Sequence, residues 1–206
     1  MKRSEYYEEK GLDRIINISD AVFAFSLTLL AADLIVPDLN GISSLQLSEE
    51  LLGEIPKFLY FILTFLITWA YWIKHHRIFR FIKRYDDILV RLNMFFLLFI
   101  VLMPFITKVI NEHSSIQIAV IIAAIGYAAP GYLASIMWHY ASTNYRLIDS
   151  SVPHDYIRNT IIENYISPVI FTFSIFLSYI KPVYTLYCWV LLFPIGYIAQ
   201  YRLEEE

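Results

Sequence analysis

The chain has 206 residues, 58% hydrophobic and only 17% charged, with a formal net charge of −3 and a mean hydropathy of +0.53. A soluble domain of this size runs nearer half apolar and a quarter charged, so the composition excludes an ordinary water-soluble globule. The single cysteine, Cys188, excludes a disulfide framework and a paired-cysteine metal site.

The first dozen residues, MKRSEYYEEKGL, are polar, with no apolar stretch behind a basic start, so no cleavable signal peptide is expected. Six apolar segments follow. A helix rising about 1.5 Å per residue needs roughly 20 of them to cross a hydrocarbon core of about 30 Å. The first predicted span runs from about Ile15 to Val36 and stops at Pro37, which resists helix continuation. Between it and the second span, Leu39 to Glu54 is polar and acidic and reads as the main outer loop. The second span covers about Pro56 to Ile73, with Pro56 suited to a first helical turn. The third runs from about Leu89 to Ile110, with Pro104 inside it, and the fourth from about Ile116 to Trp138, with Gly126, Pro130 and Gly131. The fifth, about Ile161 to Ile180, and the sixth, about Val183 to Tyr201, are separated only by Lys181-Pro182, which demands a tight hairpin. Interior prolines are tolerated where neighbouring helices satisfy the freed backbone groups, so they argue for a packed bundle. The expectation is an all-α integral membrane protein of six spans forming a single domain over residues 1–206.

Basic residues orient the spans. Thirteen Lys and Arg fall at one set of helix ends, among them Arg3, Arg14, Lys74, Arg77, Arg80, Lys83, Arg84 and Arg91, against Lys57, Lys108 and Lys181 at the other. By the positive-inside rule both termini are expected in the cytoplasm of a cell-membrane protein, with Trp69, Trp72 and Trp138 as interfacial anchors.

Chemistry concentrates in the first span, RIINISDAVFAFSLTLLAADLIVP. Asp20 lies just inside the apolar boundary, and a charge there needs a partner or a wet cavity. The candidates are Arg14, His75, His76, Arg77 and polar residues at neighbouring helix ends. A plain fastening of the helix explains Asp20 as well as a functional role does. Above it Phe25, Leu29, Ala32 and Val36 recur at helical spacing with Thr28 alongside, a stripe that on a membrane helix is more often ordinary packing or lipid contact than a pore lining. Asp33 either attracts cations to an outer mouth or simply pairs at the interface.

In WIKHHRIFRFIKRYDDIL, His75 and His76 point to different faces of a helix, with no carboxylate or cysteine at ligand spacing, so no metal site is expected. Arg77, Arg80, Lys83 and Arg84 offer contacts to anionic lipid heads or a topology anchor. Asn93, in the third span, is placed to cross-link helices. Phosphate-loop, nucleophile-elbow and HExxH motifs are missing, so no enzyme activity is expected. The TVGYG filter string is missing too.

Arg14-xxx-Ile18-Ser19-Asp20 resembles the RxxxFSD signature of the transmembrane-protein-175 family, the lysosomal and prokaryotic potassium channels. AVFAFSLTLL, WIKHHRIFR and RLNMFFLLFIVLMPF extend the likeness over about Arg14 to Phe105, with Ile18 where the family usually has phenylalanine. The resemblance implies a homotetramer with the first helix of each subunit around a central pore. It places the apolar constriction on Phe25, Leu29 and Ala32 and a threonine layer at Thr28. Phe25 stands for a usual Ile or Leu and Ala32 for a usual Leu, so the ring at Phe25 is expected to be the tightest. Arg14, Ser19 and Asp20 would hold the helix through His75, His76 and neighbouring helices. The implied activity is passive potassium-preferring transport, selective because sodium is costlier to dehydrate than potassium. The implied partners are copies of the chain and membrane lipids, with no nucleic acid and no cofactor beyond the permeating potassium ion. A proton-permeable or proton-coupled cation transporter is the alternative, though Asp20 and Asp33 lie towards opposite ends of the span. A non-conducting scaffold would carry no flux.

Overall fold

The computed structural model describes residues 3–32, 34 and 43–192. It is nearly all helix: α1 (Arg3–Ala32), α2 (Ser44–Gly53), α3 (Ile55–Phe81), α4 (Asp87–Val101), α5 (Met103–His113), α6 (Gln117–Ser142), α7 (His154–Ser178) and α8 (Val183–Val190). Five stretches among the described residues are long and apolar enough to cross a bilayer: Gly11–Ala32, Ile55–Phe81, Asp87–His113, Gln117–Tyr145 and His154–Ser178. Most of the predicted sixth span lies outside the described residues. α8 is its first part.

Three differences from the hydropathy pattern have local causes. α1 begins twelve residues before the predicted Ile15, because the polar stretch Arg3–Arg14 continues the helix out of the apolar zone. The supposed outer loop contains α2, ten residues started by a capping box in which Ser43 and Gln46 bond each other's backbone N–H groups. The third span is broken at Leu102, between α4 and α5, where Pro104 removes a helix donor.

α6 is the centre of the bundle and packs on α3, α4, α5 and α7. Its small residues let neighbours approach closely. A Cβ built on Gly131 would come within 3.0 Å of three atoms of the Pro168 ring in α7, and one on Gly126 would strike the Ile106 side chain. Tyr127 of α6 bonds Thr64 (2.8 Å), while its carbonyl accepts from the Tyr71 hydroxyl (2.6 Å). Around it Trp189 packs edge to face and Phe171 at a tilt, and Trp189 Nε1 donates to Ser174.

At the end of the bundle holding the basic cluster, the α3–α4 and α6–α7 connections lock together. Ile82 pairs with Ile148 as an antiparallel bridge, and the Lys83 N–H donates to the Leu147 carbonyl (2.8 Å). Asp86 caps α4 through the N–H groups of Ile88 and Leu89 and accepts the Tyr140 hydroxyl proton (2.5 Å). Arg146 in turn donates to the Tyr140 oxygen and lies over its ring.

Among the described residues, α1 is attached on one side, against α3, α4 and α5. Ser19, Phe23, Ser26 and Leu30 face the bundle and are buried, whereas Ile18, Ala21, Phe25, Thr28 and Ala32 are exposed on the opposite side.

Candidate functional site

Two faces of α1 define the site. The buried face is fastened at its basic end by a hydrogen-bonded chain through three spans. His75 Nε2 in α3 donates to Asn93 Oδ1 in α4 (2.9 Å), and Asn93 Nδ2 donates to Ser19 Oγ in α1 (3.0 Å). Ser19 Oγ donates in turn to the Ile15 carbonyl of its own helix (2.7 Å). All three side chains are buried, where an unmade bond would cost about 1–3 kcal/mol. Phe96 and Phe79 stack on the His75 ring at 5.4 and 4.2 Å, and Phe23 of α1 meets it edge-on.

Asp20, one residue on, accepts from Trp72 Nε1 of α3 (2.9 Å). The partner is therefore an indole and none of the cations weighed from the sequence. A neutral donor satisfies the carboxylate without a second desolvated charge. His76 stacks on Trp72 from the exposed side, so the adjacent histidines do occupy different faces of α3. Arg14 is exposed on α1, at the basic end of the bare side.

Arg77 leaves the cluster of cations assigned to lipid heads. Its Nη1 donates to both carboxylate oxygens of Glu163 in α7 (2.7 and 2.8 Å). One turn away, Lys74 Nζ donates to Ser167 Oγ (2.9 Å), so α3 and α7 are joined by a polar seam. Sequence reading missed both links, because the partners stand 86 and 93 residues away.

Among the described residues, the opposite face of α1 carries no such attachments. Phe25 is 62% exposed and Leu29 37% exposed, with Thr28 and Ala32 beside them. The Thr28 hydroxyl donates to the Phe25 carbonyl (2.8 Å), which leaves its oxygen lone pairs turned away from the helix as acceptors. Asp33 and Val36 lie outside the described residues. No cluster of three or more metal-ligating side chains occurs among the described residues.

Similar sequences and a similar fold occur in known proteins. A family model described as the endosomal/lysosomal potassium channel TMEM175 matches residues 14–104. A potassium channel of Chamaesiphon minutus is 30% identical over 144 residues, spanning 68% of this chain and 71% of the relative. A potassium channel of Streptomyces collinus is 27% identical over 178 residues, 84% of this chain and 85% of that one. The crystal structure of a lysosomal potassium-selective channel TMEM175 homolog from Chamaesiphon minutus shares the fold. Its TM-score is 0.77 over 94% of this chain and 98% of that one, at 24% identity.

Proposed function

The chain belongs to the TMEM175 family of potassium channels, and from that membership we propose a potassium-preferring cation channel whose path is lined by α1 of four identical subunits. The observation that carries the reading is the one-sided attachment of α1 among the described residues. Phe25, Thr28, Leu29 and Ala32 stand bare on the face opposite the buried Ser19, Phe23, Ser26 and Leu30. Four copies meeting on that face would bring four Phe25 rings together as a hydrophobic constriction. Such a ring strips part of an ion's hydration and passes potassium more readily than sodium. The outward lone pairs of Thr28 offset part of that dehydration. The basic helix ends face the cytoplasm of the cell membrane by their charge, so α1 enters from the inside. The sixth span would complete each subunit.

Reconstituted single-channel recording under asymmetric potassium and sodium tests the reading. Unitary currents reversing towards the potassium potential are expected, with Phe25→Ala raising conductance and weakening the preference. A reversal potential at zero removes the potassium claim. Unchanged currents in Phe25→Ala and Leu29→Ala remove the constriction, and saturable flux coupled to protons identifies a transporter instead.

A further inference from the structure

We propose that Ser26 is a positioning residue for the ion path: its hydroxyl takes up the backbone carbonyl that Pro104 strands, and so ties the constriction level of α1 to the break in the third span. The inference rests on the reading that α1 lines the path.

In an α-helix the N–H of residue 104 would return to the carbonyl of residue 100. Pro104 has no N–H, so the Ile100 carbonyl loses that donor just where α4 ends and α5 begins. Ile100 is fully buried, and an unpaired carbonyl away from water is costly. Ser26 Oγ donates to it at 2.7 Å from 74 residues away. Four other buried hydroxyls of the spans stay within their own helices. Ser19, Thr68, Thr107 and Ser135 each donate to the carbonyl four residues earlier in their own helix, the usual habit of Ser and Thr in membrane helices. Ser26 turns out of its helix to meet the stranded acceptor.

The position matters. Ser26 follows Phe25 directly and points to the bundle while Phe25 points away from it. Proline breaks are where two halves of a helix change angle. The Ser26 bond therefore transmits the angle between α4 and α5 to the distance at which Phe25 and Thr28 stand from the subunit's own core. Releasing it lets α1 drift away from the bundle, towards the axis, and narrows the path.

The test is a double-mutant cycle read as current per channel in planar bilayers, with reversal potential recorded alongside. Ser26→Ala is expected to lower current per channel by about tenfold, the scale of one unsatisfied buried carbonyl acting on an equilibrium between two helix positions. Ser26→Thr, which keeps the hydroxyl, restores it. Pro104→Ala gives Ile100 an intrahelical donor again, so adding Ser26→Ala to that background should change current by less than about twofold. An equal drop in both backgrounds, or no drop in Ser26→Ala alone, overturns the proposal. If Ser26→Ala does not fold, the Ser26→Ala/Pro104→Ala protein must fold and conduct like Pro104→Ala, and its failure overturns the proposal too. Phe25→Ala separates the two readings. Unchanged currents there sink the pore assignment, whereas altered currents there with a silent Ser26→Ala sink only the positioning role.

Discussion

Asn93 uses its amide on both sides, accepting from His75 and donating to Ser19, so one side chain of α4 satisfies two buried polar groups on two other helices. Asn93→Ala would strand the His75 N–H and remove the donor to Ser19, both out of reach of water. The expected loss is about 1–3 kcal/mol of stability, seen as a lower unfolding midpoint in detergent. A midpoint equal to that of the unchanged protein would show that the chain of bonds holds nothing. Ser19 and Asn93 stood out in the sequence as polar groups inside apolar runs, and His75 as one of two adjacent histidines in a basic stretch. Their pairing did not, because Asn93 is 74 residues from Ser19 and 18 from His75. Trp72 is the sharper case. Its indole looked like an interfacial anchor, and only the packing of α3 on α1 turns the ring nitrogen towards Asp20. Ser26 had a readable signal in Pro104, which frees a carbonyl four residues back, though the sequence names no donor for it.

Elements were legible where hydropathy alone decides them. The five spans sit where long apolar runs predict, and their ends drift where polar residues extend a helix, as in α1 and at the His154 start of α7. The short α2 was hidden because its signal is a capping box, not an apolar run. The lock between the α3–α4 and α6–α7 connections was equally invisible, since it depends on two loops meeting. It has a consequence for pH. Partial burial pushes the Asp86 carboxyl up, but the Tyr140 hydroxyl, the Leu89 and Ile88 N–H groups and the Arg146 charge together hold it below its usual value of 3.8. A depressed folded-state value contributes stability above 3.8 that is lost as pH falls through the folded value. The lock should therefore loosen in acid, read as faster proteolysis of the α6–α7 connection below about pH 4. Asp86→Asn keeps an N-cap and a hydrogen-bond acceptor but cannot titrate. It should flatten that acid limb of the proteolysis profile, and an unaltered limb would assign the lability elsewhere.

At the scale of the whole molecule, the bare side of α1 carries Ala21, Ala24, Ala31 and Ala32 around Phe25 and Thr28. Small residues of this kind let helices of different subunits come close. With Cys188→Ser as background, Ala24→Cys should form disulfide-linked pairs of chains when membranes are oxidised, each chain's one thiol taking one partner. Material that stays at one chain would remove α1 from the subunit boundary. The division of α1 into an attached and an unattached side also separates two kinds of inheritance. Changes at Ser19, Phe23, Ser26 or Leu30 disturb contacts within the chain, so folding itself filters them. Changes at Phe25, Thr28, Leu29 or Ala32 leave those contacts intact, so, on the proposed reading, a lineage can try new conduction properties there without first losing the fold of the chain. Phenylalanine at position 25 and alanine at position 32 are the kind of variation such a helix permits.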